Sequence, residues 1–191
     1  MPNELQGKKI AILLAPVGTE QAEFTEPKKA VEDEGATVDV VGLQTGDAQT
    51  MNSDVNPGDT FTVEKTFSEV SADEYDGLIV PGGTVGSDNL RASDEAVSFI
   101  HAFFEQAKPV GVICHGPWTL VEANVVSGRT LTSFPAIQTD IRNAGGYWVD
   151  EEVVTDQGLV TSRTPDDLPA FCAKIVEEFA EGKHEDQRRS A

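Results

Sequence analysis

The sequence predicts a doubly wound α/β fold, in which a parallel sheet is covered by helices on both faces. Three observations point to it. Short continuous apolar runs at residues 9–15, 76–80 and 110–113 are the pattern of strands buried on both sides. Segments with helical spacing of apolar residues lie between such runs, and the runs end in turns rich in glycine or proline. Strand alternating with helix places neighbouring strands parallel, joined by crossovers. In such sheets the chemistry gathers beyond the carboxyl ends of the strands.

In order, KIAILLA at residues 9–15 is the first buried strand, followed by a turn at 16–19. Residues 20–34 read as a polar helix that Pro27 should kink and Gly35 should cap. TVDVVG at 37–42 alternates as a second strand. Between 43 and 67, Gly46-Asp47 and Pro57-Gly58 read as turns around short strands such as 60–65, an elaboration of the sheet edge. DGLIV at 76–80 is the third strand and stops at Pro81-Gly82-Gly83. A helix over 94–107 follows from Ala96, Val97, Ile100, Phe103, Phe104 and Ala107 on one face, with Ser93 as its N-cap. The strand ending at Cys114 and its helix come next, then a strand at 129–133, a helix at 135–144 ended by Gly145-Gly146, and short strands at 147–149, 153–156 and 159–162. A final helix from about 165 to 181 buries Leu168, Phe171, Ile175 and Phe179. The expected organisation is one domain over 1–182 and a frayed polar tail over 183–191.

The chain carries 33 acidic against 14 basic residues, a net charge of −19. Such a surface repels phosphate backbones and anionic lipid, so nucleic acid held by charge is not an expected partner. No apolar run reaches the roughly 18 residues of a membrane span, and MPNELQGKK has no apolar signal core, so a cytoplasmic location and no membrane partner are expected. Cys114 and Cys172 fall in a strand end and a helix, which is not a disulfide framework.

The organising stretch is KPVGVICHGPWTL at residues 108–120. Its apolar strand ends at Cys114, Gly116-Pro117 break it, and a helix starts, so Cys114 stands at a strand-to-helix corner. A sharp corner lifts a side chain clear of the sheet and turns the next backbone amides toward whatever that side chain attacks. The adjoining helix start favours the thiolate. Thr19-Glu20 after the first strand and Gly82-Gly83 after the third converge on the same edge. The glycine pair is not a dinucleotide loop, because Pro81 occupies the first glycine position of G-x-G-x-x-G. It permits close backbone approach, which suits an oxyanion site of N–H groups. Cys114, His115 and Cys172 lack structural zinc spacing, and no acidic or histidine cluster stands out, so neither metal nor cofactor is expected.

VICHGPWTL, the PGG after DGLIV, TEQAEF after the first strand, NAGGYWVDEEVVTD and SRTPDDLPAF together resemble the PfpI family of the ThiJ/PfpI superfamily, in the family's order from Lys9 to Phe179. The resemblance implies a flavodoxin-like domain of the class I glutamine amidotransferase type that forms homodimers or larger assemblies of dimers. The family's nucleophile falls on Cys114, its neighbouring histidine on His115, and the glutamate that hydrogen-bonds the sulfur on Glu20; Gly83 and His115 would offer the oxyanion amides. Peptidase members complete a triad with a glutamate of a neighbouring subunit just after PGG. Here that segment reads TVGSDNLR, a loop whose nearest acid is Asp88.

Three functions are compatible with this pattern. The first is a stress-response enzyme of the glyoxalase or deglycase type, in which Cys114 adds to small reactive carbonyls or to glycated protein and nucleotide adducts, and Glu20 or His115 moves a proton. The second is an intracellular cysteine peptidase. The third is a redox sensor or holdase that acts through oxidation of Cys114 rather than through turnover. Because His115 follows Cys114 directly, its ring is expected to turn from the sulfur toward substrate or Asp88.

Overall fold

A computed structural model describes residues 3–190. The chain runs β1 (Lys9–Leu13), β2 (Val17–Glu20), α1 (Gln21–Asp33), β3 (Thr37–Gly42), β4 (Gly46–Asn52), β5 (Asn56–Val63), β6 (Lys65–Thr66), β7 (Gly77–Val80), α2 (Thr84–Arg91), α3 (Asp94–Glu105), β8 (Val110–Ile113), α4 (Pro117–Glu122), β9 (Thr130–Leu131), α5 (Gln138–Asn143), β10 (Tyr147–Trp148), β11 (Val153–Asp156), β12 (Leu159–Ser162) and α6 (Leu168–Glu181). The main sheet has the order β11-β12-β8-β7-β1-β3-β6. Its pairs are parallel except for the edge hairpin β11–β12. The doubly wound flavodoxin-like architecture expected from the alternation is therefore present.

The side-chain period of two divides the core. Ala11, Leu13, Leu78, Val80, Val110 and Val112 point to the layer of α3 and α4, where Phe99, Phe103 and Phe104 fill the space. Ile10, Ile12, Ile79, Ile113 and Val160 point to the opposite layer, against Phe24 of α1 and Phe171, Ile175 and Phe179 of α6. Each such fully buried side chain contributes about 1.5–3 kcal/mol. β1 lies between β3 and β7, so the chain leaves it first to one side and later to the other. That reversal opens a crevice at the carboxyl ends of β1, β7 and β8.

Several local expectations change. Residues 17–20 form β2 rather than a turn, and β2 joins β4 and β5 in a separate three-stranded sheet. The β4–β5 reversal falls at Ser53-Asp54, not at Gly46-Asp47 or Pro57-Gly58, both of which lie within strands. Ser53 and Asp54 have φ of +53° and +63°, the left-handed pair that a tight hairpin turn demands. α1 continues through Pro27, which is buried. The segment after Gly83 is helix α2 and not a loop. β9 pairs only with β10, in a two-stranded sheet of its own. The tail expected to fray is docked as far as Gln187: His184 N donates to Ala107 O at 2.8 Å, and Gln187 is fully buried. Ser93 caps α3 as expected, accepting from Ala96 N at 3.3 Å. Among the described residues no helix is long and apolar enough to cross a membrane.

Candidate active site

The strand-to-helix corner at Cys114 is held open by backbone bonds on both sides. Cys114 has φ of +62°, a conformation that costs an L-residue about 1–2 kcal/mol. It persists because Cys114 N donates to Ser162 O at 3.0 Å and Phe134 N donates to Cys114 O at 2.8 Å. The corner leaves Cys114 and His115 only 6% and 5% exposed. The backbone N–H groups of Gly83 and His115 face the sulfur. Both amides expected to form the oxyanion site therefore converge there. Gly83 has φ of +89°, and a Cβ on it would lie 2.1 Å from Gly18 O, so glycine alone suits this crossing of β2 and the β7 corner.

The carboxyl beside the sulfur belongs to Glu23, which corrects the expectation for Glu20. Glu20 ends β2 and precedes the first turn of α1, so its side chain leaves the crevice. Its carboxylate accepts instead from Ser53 N at 2.8 Å and Asp54 N at 3.1 Å, where it stabilises the left-handed hairpin turn. Glu23 lies in the first turn of the helix, on the buried stripe it shares with Phe24, Pro27 and Val31. Its Oε2 accepts Gly82 N–H at 2.8 Å, and the carboxyl lies beside the Cys114 side chain across Gly82. Burial, more than any other influence, pushes Glu23 up to about 8, so it is protonated at neutral pH. Since Oε2 already accepts, the proton belongs on Oε1, which is buried with no hydrogen-bond partner.

The His115 ring faces the sulfur, contrary to the expectation that it would turn away. Nδ1 is 3.3 Å from Sγ, and Nε2 is 3.4 Å from Thr84 Oγ1. Phe134 stacks on the ring at 4.5 Å and Trp118 lies at 5.2 Å, which together fix its plane. Thr84 is tied in turn to Asp54, its N–H reaching Oδ1 at 2.7 Å and its hydroxyl Oδ2 at 3.0 Å. Asp88 takes no part: its side chain is 60% exposed and pairs with Arg91 at 2.9 Å. α2 turns Asp88 outward, whereas the hairpin carries Asp54 inward.

These contacts assign the hydrogens. Asp54 accepts, so the Thr84 hydroxyl donates to it and accepts from Nε2–H; Nδ1 is then free to accept from the Cys114 thiol. A directed chain results, from Cys114 to His115, Thr84 and the Asp54 carboxylate, with the protonated Glu23 on the other side of the sulfur. Burial, the larger influence, holds His115 below the ordinary imidazole range, and Asp54 acts against it. His115 is thus a neutral base at neutral pH. The thiol itself is pushed up by burial, then by Glu23, and drawn down by the Gly83 and His115 amides. The helix start alone does not lower it as expected: α4 has six residues, and desolvation outweighs so short a dipole.

Glu23, Thr84 and Asp54 were missed in the sequence. For Glu23 a signal existed, because an acid at i−4 from Pro27 and i−8 from Val31 falls on the apolar stripe of its helix. Thr84 and Asp54 meet only through pairing between distant segments, and neither carries a local signature.

The DJ-1/PfpI family model matches residues 8–178. The Bacillus subtilis (strain 168) protein named "General stress protein 18" is 42% identical over 166 residues, covering 86% of this chain and 94% of the relative. The Escherichia coli (strain K12) protein named "Protein/nucleic acid deglycase 2" is 42% identical over 165 residues, covering 86% and 93%. The crystal structure of Drosophila melanogaster DJ-1beta superposes with a TM-score of 0.81 at 29% identity, covering 95% of this chain and 94% of that one.

Proposed function

The chain belongs to the DJ-1/PfpI family, and on that premise we propose that it is a cysteine-dependent enzyme acting on small reactive carbonyls or on the adducts they form. The observation that carries this reading is the nearly closed site in which a thiol stands between a neutral acid, Glu23, and a neutral base, His115. A site whose cysteine is only 6% exposed admits a two- or three-carbon electrophile more readily than a polypeptide. As Sγ bonds to an aldehyde carbon, the thiol proton passes to His115 Nδ1, and the carbonyl π electrons move to oxygen. The oxygen is met by the Gly83 and His115 amides and takes the proton of Glu23, giving a neutral hemithioacetal. Thr84 and Asp54 stabilise the imidazolium formed in that step. With a 2-oxoaldehyde, the Glu23 carboxylate left by that step removes the carbinol C–H proton while the His115 imidazolium protonates the neighbouring carbonyl oxygen; Glu23 then returns the proton to that neighbouring carbon as the first hydroxyl gives its proton to His115, leaving a thioester. The resulting thioester is hydrolysed by water to a 2-hydroxy acid and the free thiol.

A peptidase uses the same sulfur but must protonate an amine leaving group, for which an imidazolium at rest is the usual source. Burial works against that charge here. The decisive experiment offers the purified chain and Cys114→Ser methylglyoxal, a glycated peptide, an unmodified peptide and hydrogen peroxide. Consumption of methylglyoxal or release of the glycated adduct, lost in Cys114→Ser, supports the reading. Cleavage of the unmodified peptide alone replaces it with the peptidase, and stoichiometric oxygenation of Cys114 without turnover replaces it with a redox sensor.

A further inference from the structure

A second cluster of ionisable side chains lies at the other end of the molecule from Cys114, at the C-terminus of α6. Glu178 and Glu181 stand one turn apart on the helix, and Gly182, with φ of +89°, turns the chain so that His184 comes back over them. One ligand atom from each of the three lies within 4.8 Å of the others. The His184 backbone is fixed by its bond to Ala107 O, and its ring rests on Gly158, where a Cβ would lie 2.7 Å from Cδ2. The imidazole is therefore held in place by contacts that do not involve Glu178 or Glu181.

The arrangement is electrostatically incomplete. The last turn of α6 carries no basic residue, although a helix C-terminus has a partial negative charge and ordinarily favours cations. Glu178 is buried, only 6% exposed. Glu178 Oε2 and His184 Nε2 approach to 3.3 Å, yet each is buried without a hydrogen-bond partner. That separation matches the edge of a tetrahedron around zinc, about 3.4 Å for bonds of about 2.0–2.2 Å. Glu181 is exposed and leaves the cluster open on one side.

We propose that Glu178, Glu181 and His184 bind a divalent transition-metal cation of the zinc class, tying the C-terminal segment to α6. Two carboxylate oxygens and one imidazole nitrogen form a mixed set suited to Zn²⁺ rather than to Mg²⁺ or Ca²⁺, which favour oxygen alone. The sequence showed no metal cluster because the turn at Gly182, not linear spacing, closes it.

The test is calorimetric titration of Zn²⁺ into the full chain carrying Cys114→Ser, which removes the buried thiol as a competing ligand. One equivalent is expected to bind and to raise the melting temperature. Adding His184→Ala or Glu178→Gln should weaken binding more than about tenfold and abolish the thermal gain. Co²⁺ in place of Zn²⁺ should give d–d absorption without a thiolate charge-transfer band. Glu178→Gln keeps the shape of the buried side chain, so it decides the matter if His184→Ala loosens the tail. Absence of stoichiometric binding, or equal affinity with and without Glu178→Gln, overturns the proposal and leaves a Glu178–His184 ion pair.

Discussion

Glu23 and Cys114 meet across Gly82, where a Cβ would lie 2.6 Å from both the Cys114 Cβ and the Glu23 Oε2. The pair exists because this corner of the chain has no side chain. Gly82→Ala is expected to destabilise the protein by about 1–3 kcal/mol through overpacking and to separate the carboxyl from the sulfur. Denaturant unfolding checks the first effect, and the rate of Cys114 alkylation checks the second. An unchanged alkylation rate would show that the carboxyl does not act on the sulfur.

The two groups that flank the sulfur set the pH dependence. Turnover needs His115 neutral and Glu23 protonated, so the profile should be a bell. Its acid limb lies below the ordinary imidazole value, and its basic limb lies near the value of about 8 to which Glu23 is raised. Glu23→Gln keeps the shape of the side chain but has no proton to give the oxygen, so turnover should fall steeply at every pH and the residual rate should lack the basic limb. Glu23→Leu should lose turnover at all pH values, whereas Glu20→Gln should keep the wild-type basic limb. Rates against pH for the three variants decide this.

Stability should follow the same carboxyl. Glu23 holds its proton in the folded chain up to about 8, whereas an unfolded glutamate releases it near 4.5. The raised value therefore contributes stability that is full below pH 4.5 and is lost as pH rises to about 8. At 1.36 kcal/mol per pH unit over that interval, the loss approaches roughly 5 kcal/mol. Glu23→Gln removes this term, so its stability relative to wild type should grow between those pH values and level off above them. Urea midpoints across the range measure it; a constant difference would place an ionised Glu23 in the native state.

Asp54 acts on His115 through Thr84, so it is a positioning residue. Asp54→Asn removes the charge that raises the imidazole, and the acid limb should move to lower pH. Turnover should fall about tenfold to a hundredfold, less than the 10²–10⁴ expected for His115→Ala. Asp88→Asn should leave the profile where it is. A shift with Asp88→Asn and none with Asp54→Asn would reverse the assignment.

We propose that the chain assembles as a homodimer, as the family resemblance implies. β2 and α2 adjoin at Gly18, and Val17 and Val85 there are 42% and 49% exposed. Neighbouring apolar side chains left in water favour burial against a second copy. Light scattering at micromolar concentration should give twice 20.5 kDa, and Val85→Asp should shift the mass toward the monomer. A wild-type monomer would contradict the proposal.

The sequence by itself determined the central sheet, its covering helices and the corner on which Cys114 sits, because each is written in neighbouring residues. Continuous apolar runs can be buried only as inner strands, and Gly-Pro after Cys114 forces the corner on which the thiol sits. Glycine at 82 and 83 likewise announced a close backbone approach. Only the tertiary structure decided which acid serves the sulfur and which serves the imidazole. Glu20 and Glu23 differ by less than one helical turn, so their roles turn on where the helix begins, and β2 claims Glu20 before α1 starts. Asp54 reaches Thr84 across 30 residues of chain through a hairpin turn that Glu20 holds in place, while Asp88, nearer Cys114 in sequence, is rotated to solvent by α2. Sequence distance cannot rank these acids, because sheet pairing and helix phase, set by the whole core, determine where each carboxylate ends.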